Sequence, residues 1–442
     1  MFFIEKNNKI ACSIIFGLLI SSFVVGFISY YMFYMDNKQG NKIERIILFS
    51  LDSCNPEYLS PDYMPKVYSL LKDEGIIYKN AWAPIAAETM NGHTTMLTGC
   101  WSNSTGIIGN GYHNSDLDED EQPENPVQDP DHRLVDTVFE HLKKNHPSKA
   151  KKTGFISGKW RLPDFLAYDA EYVFASPVCK EFEICPKGYE SLVGTPITHT
   201  DGDIYDQWSM RALTELVRKD DPEFIFINLA WLDASGHDTG SLNLNHKREL
   251  RQLDDMIWQF IIDLKAMDKY KTTLFIFTGD HGMNSMSDVF VVDKYLEENG
   301  ISVDFVHAEG HSAFIFLEDK DDIDEAVELL EDNDKVSVVL PRSEMYRLHL
   351  DTYENRTGQI YISCKEDTAI AYKEFTFTVI GTHGGVSARD VPFAVMGPKI
   401  KKGEFIQDII PGLEDIVPTI YSLWDYSIPN YMDGRVLVEI FE

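Results

Sequence analysis

Three carboxylates and three imidazoles in this sequence each follow an apolar run. Asp52 closes RIILFSLD, Asp233 and His237 close the run that begins at Phe224, Asp280 and His281 follow TTLFIFTG, and His383 follows the run over 375–380. Aspartate oxygen with neutral imidazole nitrogen suits a borderline divalent cation such as zinc. A carboxylate buried alone is costly, and a cation removes that cost while fixing geometry. Six such ligands exceed the needs of one tetrahedral ion; they suit two, each with room for an outside oxygen. A single Asp-x-x-x-His after a strand is more often a polar turn, so the weight falls on recurrence.

Positioning these groups calls for buried strands. Residues 45–51, 224–232 and 272–278 are short, rich in Phe and Ile and without polar alternation, which reads as parallel strands buried on both faces. Ligands in open α/β sheets collect beyond the carboxyl ends of such strands. Ala234, Ser235 and Gly236 are expected to form a small-residue turn that returns His237 towards Asp233. Helical apolar spacing over 65–72, 135–144, 204–217 and 250–264 supplies layers to cover the sheet. Residues 153–157 read as a further strand, one that delivers Lys159 and Arg161. The stretch 83–100, which holds Thr89, Asn91 and His93, shows neither helical nor strand periodicity. From about 285 to 375 the pattern changes to alternating strands with an acidic helix at 322–330, expected as a smaller α/β cap. The expected fold class is an α/β sandwich, with a mostly parallel central sheet between helices, that cap, and one transmembrane helix ahead of it.

A chain of 442 residues can bury a large core, and its formal charge of -31 argues against nucleic acid as the main partner. Residues 10–35 carry no charge, and as a helix they would reach about 39 Å, enough to span a hydrocarbon core of about 30 Å. They are expected to be a single-pass membrane anchor, between an N-terminal tail at 1–9 and a linker at 36–42, with the remaining domain at 43–442. Lys6 and Lys9 roughly balance Lys38, Lys42 and Arg45 across that segment, so charge does not orient it. Cys179 and Cys185 could close a small disulfide loop or stay apart.

The motifs LFSLD, ETMNGHTTMLTG, AWLDASGH, FTGDHGM and GTHGG, followed by VPFAVMGP, DIVPT and DGRVL, give the sequence its resemblance to the alkaline phosphatase superfamily. Within it, the chain resembles the type I phosphodiesterase and nucleotide pyrophosphatase branch, which includes phosphonoacetate hydrolase. The resemblance runs from about residue 44 to the C-terminus and is weakest between 285 and 375. It implies an alkaline-phosphatase-like fold and two divalent ions, by resemblance zinc. Asp233, His237 and His383 would hold one ion, and Asp52, Asp280 and His281 the other. Thr89 would be the nucleophile, bridging towards the second ion and passing through a phosphothreonine intermediate. Asn91 would contact a phosphate oxygen, although its offset from Thr89 departs from the family's Pro-Asn-His. Lys159 and Arg161 look similar to the basic pair that holds substrate in phosphonoacetate hydrolase; a surface turn explains them equally well.

The function so implied is a membrane-anchored hydrolase of phosphodiester, pyrophosphate or related phosphate-containing small molecules, with its catalytic domain outside the cytoplasm. Three alternatives stand beside it: a phosphotransferase acting on membrane glycan or lipid acceptors, a phosphonate hydrolase, and a non-catalytic binding module of the same fold. Sulfatase activity is disfavoured, since position 89 holds Thr rather than the Cys or Ser that becomes formylglycine in that branch.

Overall fold

The computed structural model describes residues 42–118, 122, 127, 129–146, 152–175, 185–189, 203–241, 244–371 and 380–442. The expected tail and anchor at 1–35, nearly all of the linker, Cys179 and most of the strand expected at 375–380 lie outside these residues. No helix among the described residues is long and apolar enough to cross a membrane.

The chain opens with β1 (Arg45–Leu51), then β2 (Gly75–Trp82), β3 (Thr153–Ser157), β4 (Tyr172–Ala175), β5 (Phe224–Leu229) and β6 (Thr273–Thr278). A second group follows, β7 (Val303–Glu309), β8 (Ser312–Leu317), β9 (Val336–Pro341) and β10 (Ile360–Cys364), before β11 (Asp390–Met396) and β12 (Glu404–Ile406). Eight of these strands form one sheet in the order β12-β2-β11-β6-β1-β5-β3-β4. β1 runs parallel to both β5 and β6, and only β11 is antiparallel to its neighbours. The mostly parallel central sheet expected from the sequence is therefore present.

β1 shows why its run lacks polar alternation. Ile46 and Leu48 point into one core cluster, while Ile47, Phe49 and Leu51 point into another on the opposite face. Phe49 stacks on Phe277 of the neighbouring strand at 4.9 Å between ring centres and meets Phe260 edge-on. Burial on both faces leaves no position where a polar side chain would be solvated, so a polar residue can leave the strand only at its end.

Residues 285–371 alternate strands with helices. β7 to β10 form a separate sheet, ordered β9-β10-β8-β7, with its own small core. Among the described residues this region contributes nothing to the wall of the cavity at Thr89. Its β7–β8 hairpin instead presses against the loop that carries His383. The His311 amide donates to the His383 carbonyl at 2.7 Å, and the Ser312 hydroxyl donates to the Gly384 carbonyl at 2.7 Å. Gly384 has φ +95, and a Cβ there would lie 2.0 Å from the Glu309 carbonyl oxygen. Gly384→Ala should therefore cost at least about 2 kcal/mol in urea unfolding, through backbone strain and collision together. A wild-type midpoint would show that the hairpin does not brace this loop.

Candidate active site

The six acidic and imidazole residues converge at the carboxyl ends of β1, β5 and β6. Asp52 follows β1 directly and is fully buried, as are Asp280 and His281 just beyond β6. β5 stops at Leu229, and a helix, α1 (Trp231–Thr239), begins two residues later. The small-residue turn expected at 234–236 is thus a helical turn. Spacing of four on a helix, rather than a reversal of the chain, places Asp233 and His237 on one face. His383 follows the two-residue strand Gly381–Thr382, which pairs with Asn284–Ser285.

Asp233 Oδ1 lies 3.5 Å from His237 Nε2 and 3.5 Å from His383 Nε2, and the two nitrogens are 3.3 Å apart. A tetrahedral ion with bonds of about 2.0–2.1 Å holds its ligand atoms about 3.3 Å apart, so this triangle fits one. His281 Nε2 stands 3.3 Å from Asp280 Oδ2 and 3.8 Å from Asp52 Oδ1. Asp52, Asp280 and His281 offer ligand atoms within 4.8 Å of one another, as do Asp233, His281 and His383. Asp280 Oδ2 is buried without a hydrogen bond, an arrangement that a cation would satisfy.

Each histidine is aimed by its other ring nitrogen. His237 Nδ1 lies 3.0 Å from the Gly381 carbonyl, His281 Nδ1 lies 3.0 Å from that of Gly282, and His383 Nδ1 lies 3.0 Å from Glu88 Oε2. All three therefore turn Nε2 inward, as ligands braced from behind do. Burial holds the imidazole of His237 below its usual range, and burial with His383 nearby holds that of His281 well below it. Both are neutral and able to donate a lone pair at neutral pH. On His383 burial acts the same way, but the Glu88 and Asp233 carboxylates outweigh it and raise the imidazole. Burial pushes the Glu88 carboxyl up to about 7 against the pull of His383. For Asp233, burial is overridden by Lys159 and the histidines, which keep the carboxyl well below the usual range.

Thr89 is the first residue of α2 (Thr89–Thr98), a helix in the stretch that showed no periodicity. All ten of its residues are buried, so no solvent-facing side exists to mark a 3.6-residue period. The Thr89 hydroxyl lies 2.9 Å from Lys159 Nζ and 3.3 Å from His281 Nε2, at the positive end of the helix dipole. It opens on a cavity of about 330 Å³ lined also by Asn110, Lys159, Trp160, Arg161, Trp231 and Asp233.

Asn91 does not reach that cavity. Its Oδ1 accepts from the Glu88 amide at 3.0 Å, and its Nδ2 donates to the Ile85 and Ala86 carbonyls at 3.0 and 2.7 Å. The side chain caps the helix, because position 91 lies on the first turn facing the preceding loop. Gly92 matters beside it: a Cβ there would sit 2.4 Å from the Asp280 carbonyl oxygen, so only glycine lets α2 approach the ligand loop. Lys159 lies deeper than a rim residue. Its Nζ is 2.9 Å from both Asp52 Oδ1 and Asp233 Oδ2, bridging the two ligand clusters. Arg161 lines the cavity, its guanidinium 5.6 Å from the Trp160 ring centre.

Sequence reasoning missed Glu88, Asn110 and Asn228. Asn110 donates to Glu88 Oε2 at 2.6 Å, and Asn228 donates to Asp52 Oδ2 at 2.8 Å. Asn228 carried a signal, being the one polar residue in the buried strand FIFINL. Asn110 had none, since it reaches the site from a distant loop.

A model of the type I phosphodiesterase / nucleotide pyrophosphatase family matches residues 46–385. The chain belongs to that family. Among curated relatives it is 22% identical to the bis(5'-adenosyl)-triphosphatase of Mus musculus over 271 residues, covering 59% of this chain and 52% of that protein. It thus spans about half the length of the curated relatives it matches. Murine ectonucleotide pyrophosphatase / phosphodiesterase 5, solved as an inactive variant with AMP, superposes with a TM-score of 0.69 at 17% identity, over 90% of this chain and 100% of that one. Phosphonoacetate hydrolase from Sinorhizobium meliloti, solved with phosphonoformate, gives 0.68 at 19% identity, over 87% and 96%. At these identities the superpositions establish a shared fold.

In this member of the family, Lys159 is the cation that the structure sets between Asp52 and Asp233. On Lys159 burial would release the proton, but Asp233 and Asp52 hold it on. Lys159→Met should cost about 3 kcal/mol in chelator, because buried carboxylates lose their counter-charge, and added zinc or manganese should restore most of it. Identical chelated melting curves for both proteins would contradict this role.

Proposed function

We propose that this protein is a two-metal phosphoric ester hydrolase acting through Thr89. The observation that carries the reading is the Asp233, His237 and His383 triangle of 3.3–3.5 Å, set beside a buried threonine at a helix N-terminus. Asp233, His237 and His383 would hold one ion, and Asp52, Asp280 and His281 the other. Bound there, divalent ions would lower the pKa of the threonine hydroxyl and neutralise charge on the phosphoryl oxygens. Zinc suits this nitrogen and oxygen set, and manganese or iron would be accepted by it.

The chain's own residues supply the rest. The positive end of the α2 dipole favours the developing negative charge at Thr89. Lys159 donates to the Thr89 hydroxyl, orienting its oxygen towards the cavity. The Thr89 oxygen attacks phosphorus, the leaving group departs, and the resulting phosphothreonine is hydrolysed in a second step. Trp160 and Trp231 offer flat apolar walls and Arg161 a cation at the cavity, which suits a phosphate ester with a planar apolar leaving group. Lys159 is engaged by Asp52 and Asp233, so holding a substrate carboxylate would require it to leave them; that favours phosphodiesters and pyrophosphates over phosphonates.

A membrane anchor at 10–35, with the catalytic domain outside the cytoplasm, belongs to the same proposal. The described chain enters at the amino end of β1, whereas Thr89 lies beyond its carboxyl end, about 20 Å further along. An anchor joined there would attach at the end of the sheet opposite Thr89. The full chain should sediment with membranes and be released by detergent rather than by salt.

The deciding assay measures nitrophenol release from mono- and di-nitrophenyl phosphates and from a nitrophenyl phosphonate. Thr89→Ala should lower kcat by at least about 10³-fold, and chelation should abolish activity until zinc or manganese is returned. Unchanged turnover in Thr89→Ala, or activity indifferent to chelator, would rule the mechanism out.

A further inference from the structure

Ser53 stands between the two ligand clusters in a conformation that serine rarely adopts. Its φ is +61, in the left-handed region that glycine occupies without strain. Strain of this kind persists where the surroundings over-determine it, and it points to use when the side chain meets a functional site. Here it does so. The Ser53 hydroxyl donates to Asp233 Oδ1 at 2.7 Å and lies 3.1 Å from His281 Nδ1, while the Ser53 amide donates to Asp280 Oδ1 at 3.2 Å. One fully buried residue, next in sequence to Asp52, thereby touches Asp233 on one side and Asp280 and His281 on the other.

We propose that Ser53 is a positioning residue whose hydroxyl sets the rotation of Asp233, and that its strained backbone is retained because glycine would lack that hydroxyl. This rests on the two-metal reading above. A hydroxyl donates one proton, and the 2.7 Å contact commits it to Asp233; towards His281 the oxygen is an acceptor, which places a proton on Nδ1 and the lone pair on Nε2. His281 has a second acceptor behind it in the Gly282 carbonyl, so its orientation survives without Ser53. On Asp233 Oδ1 the Ser53 hydroxyl is the short contact, at 2.7 Å against 3.5 Å to each imidazole. That oxygen is the one 3.5 Å from both His237 Nε2 and His383 Nε2, whereas Oδ2 is drawn the other way by Lys159. Without the hydroxyl the carboxylate is free to turn both oxygens towards the ammonium. The cluster of Asp233, His237 and His383 should then weaken, and that of Asp52, Asp280 and His281 should change little.

Two substitutions separate hydroxyl from backbone. Ser53→Gly removes the hydroxyl and the strain; Ser53→Ala removes the hydroxyl and keeps the strain. Zinc titration of the chelator-stripped full chain, with bound metal counted after dialysis, should show two ions in wild type. Both variants should hold one ion as wild type does and the other about 10- to 100-fold more weakly. Stripped of metal, Ser53→Gly should melt about 1–3 °C above Ser53→Ala. Loss of one ion alone, equal in the two variants although their melting differs, is not expected of a residue that merely packs. Two ions held at wild-type affinity in both variants would overturn the role of Ser53 and leave the two-metal reading standing. A wild-type chain that binds no divalent ion would overturn both. Equal melting of the two stripped variants would remove the strain argument.

Discussion

Mutual repulsion among Asp52, Asp233 and Asp280 is the constraint around which the rest of the structure is arranged. Three carboxylates withdrawn from water and brought to one place would oppose folding, since each loses hydration and none can be neutralised by solvent. Burial and the neighbouring Asp280 accordingly push the Asp52 carboxyl up, against the pull of Lys159. The protein keeps these groups together by interleaving positive or polarisable partners: the Lys159 ammonium, three imidazoles, and the amides and hydroxyl donated by Asn228 and Ser53. Clusters of this kind could hold cations of higher charge than lysine's.

The scaffold answers the same constraint mechanically. Side chains at the ends of strands buried on both faces have little freedom, because the strands are fixed by pairing on each side and by close packing above and below. β1 sits between β5 and β6 with six aligned residue pairs on each side, so Asp52 inherits a position set by its neighbours. His383 is different, being held by a loop that the β7–β8 hairpin braces from outside. The second sheet therefore serves the site through backbone contacts, although it contributes no wall to the cavity among the described residues.

The setting of Thr89 combines both themes. α2 is buried along its whole length and starts at Thr89, so the positive end of its dipole meets the carboxylate cluster head-on. Asn91 secures that helix start, and Gly92 allows it to press against Asp280. Asn91 and Gly92 thus set where Thr89 lies.

Much of this was legible in the amino-acid sequence. Unbroken apolar runs ending in Asp or His marked the central strands and the ligands at their ends, because a strand buried on both faces cannot hide a charge anywhere except beyond its last residue. The family's motifs then ordered those ligands around Thr89. Other features depended on tertiary contacts between segments far apart in the chain. Asp233 and His237 share a helical face where a turn was expected, since Asp-x-x-x-His fits both and local sequence does not choose. α2 escaped notice because total burial erases the amphipathic signal. The places of Lys159 between Asp52 and Asp233, of Ser53 on Asp233 and of Glu88 behind His383 were settled only by folding, because which donor meets which carboxylate depends on distances between strands and loops that no spacing along the sequence encodes.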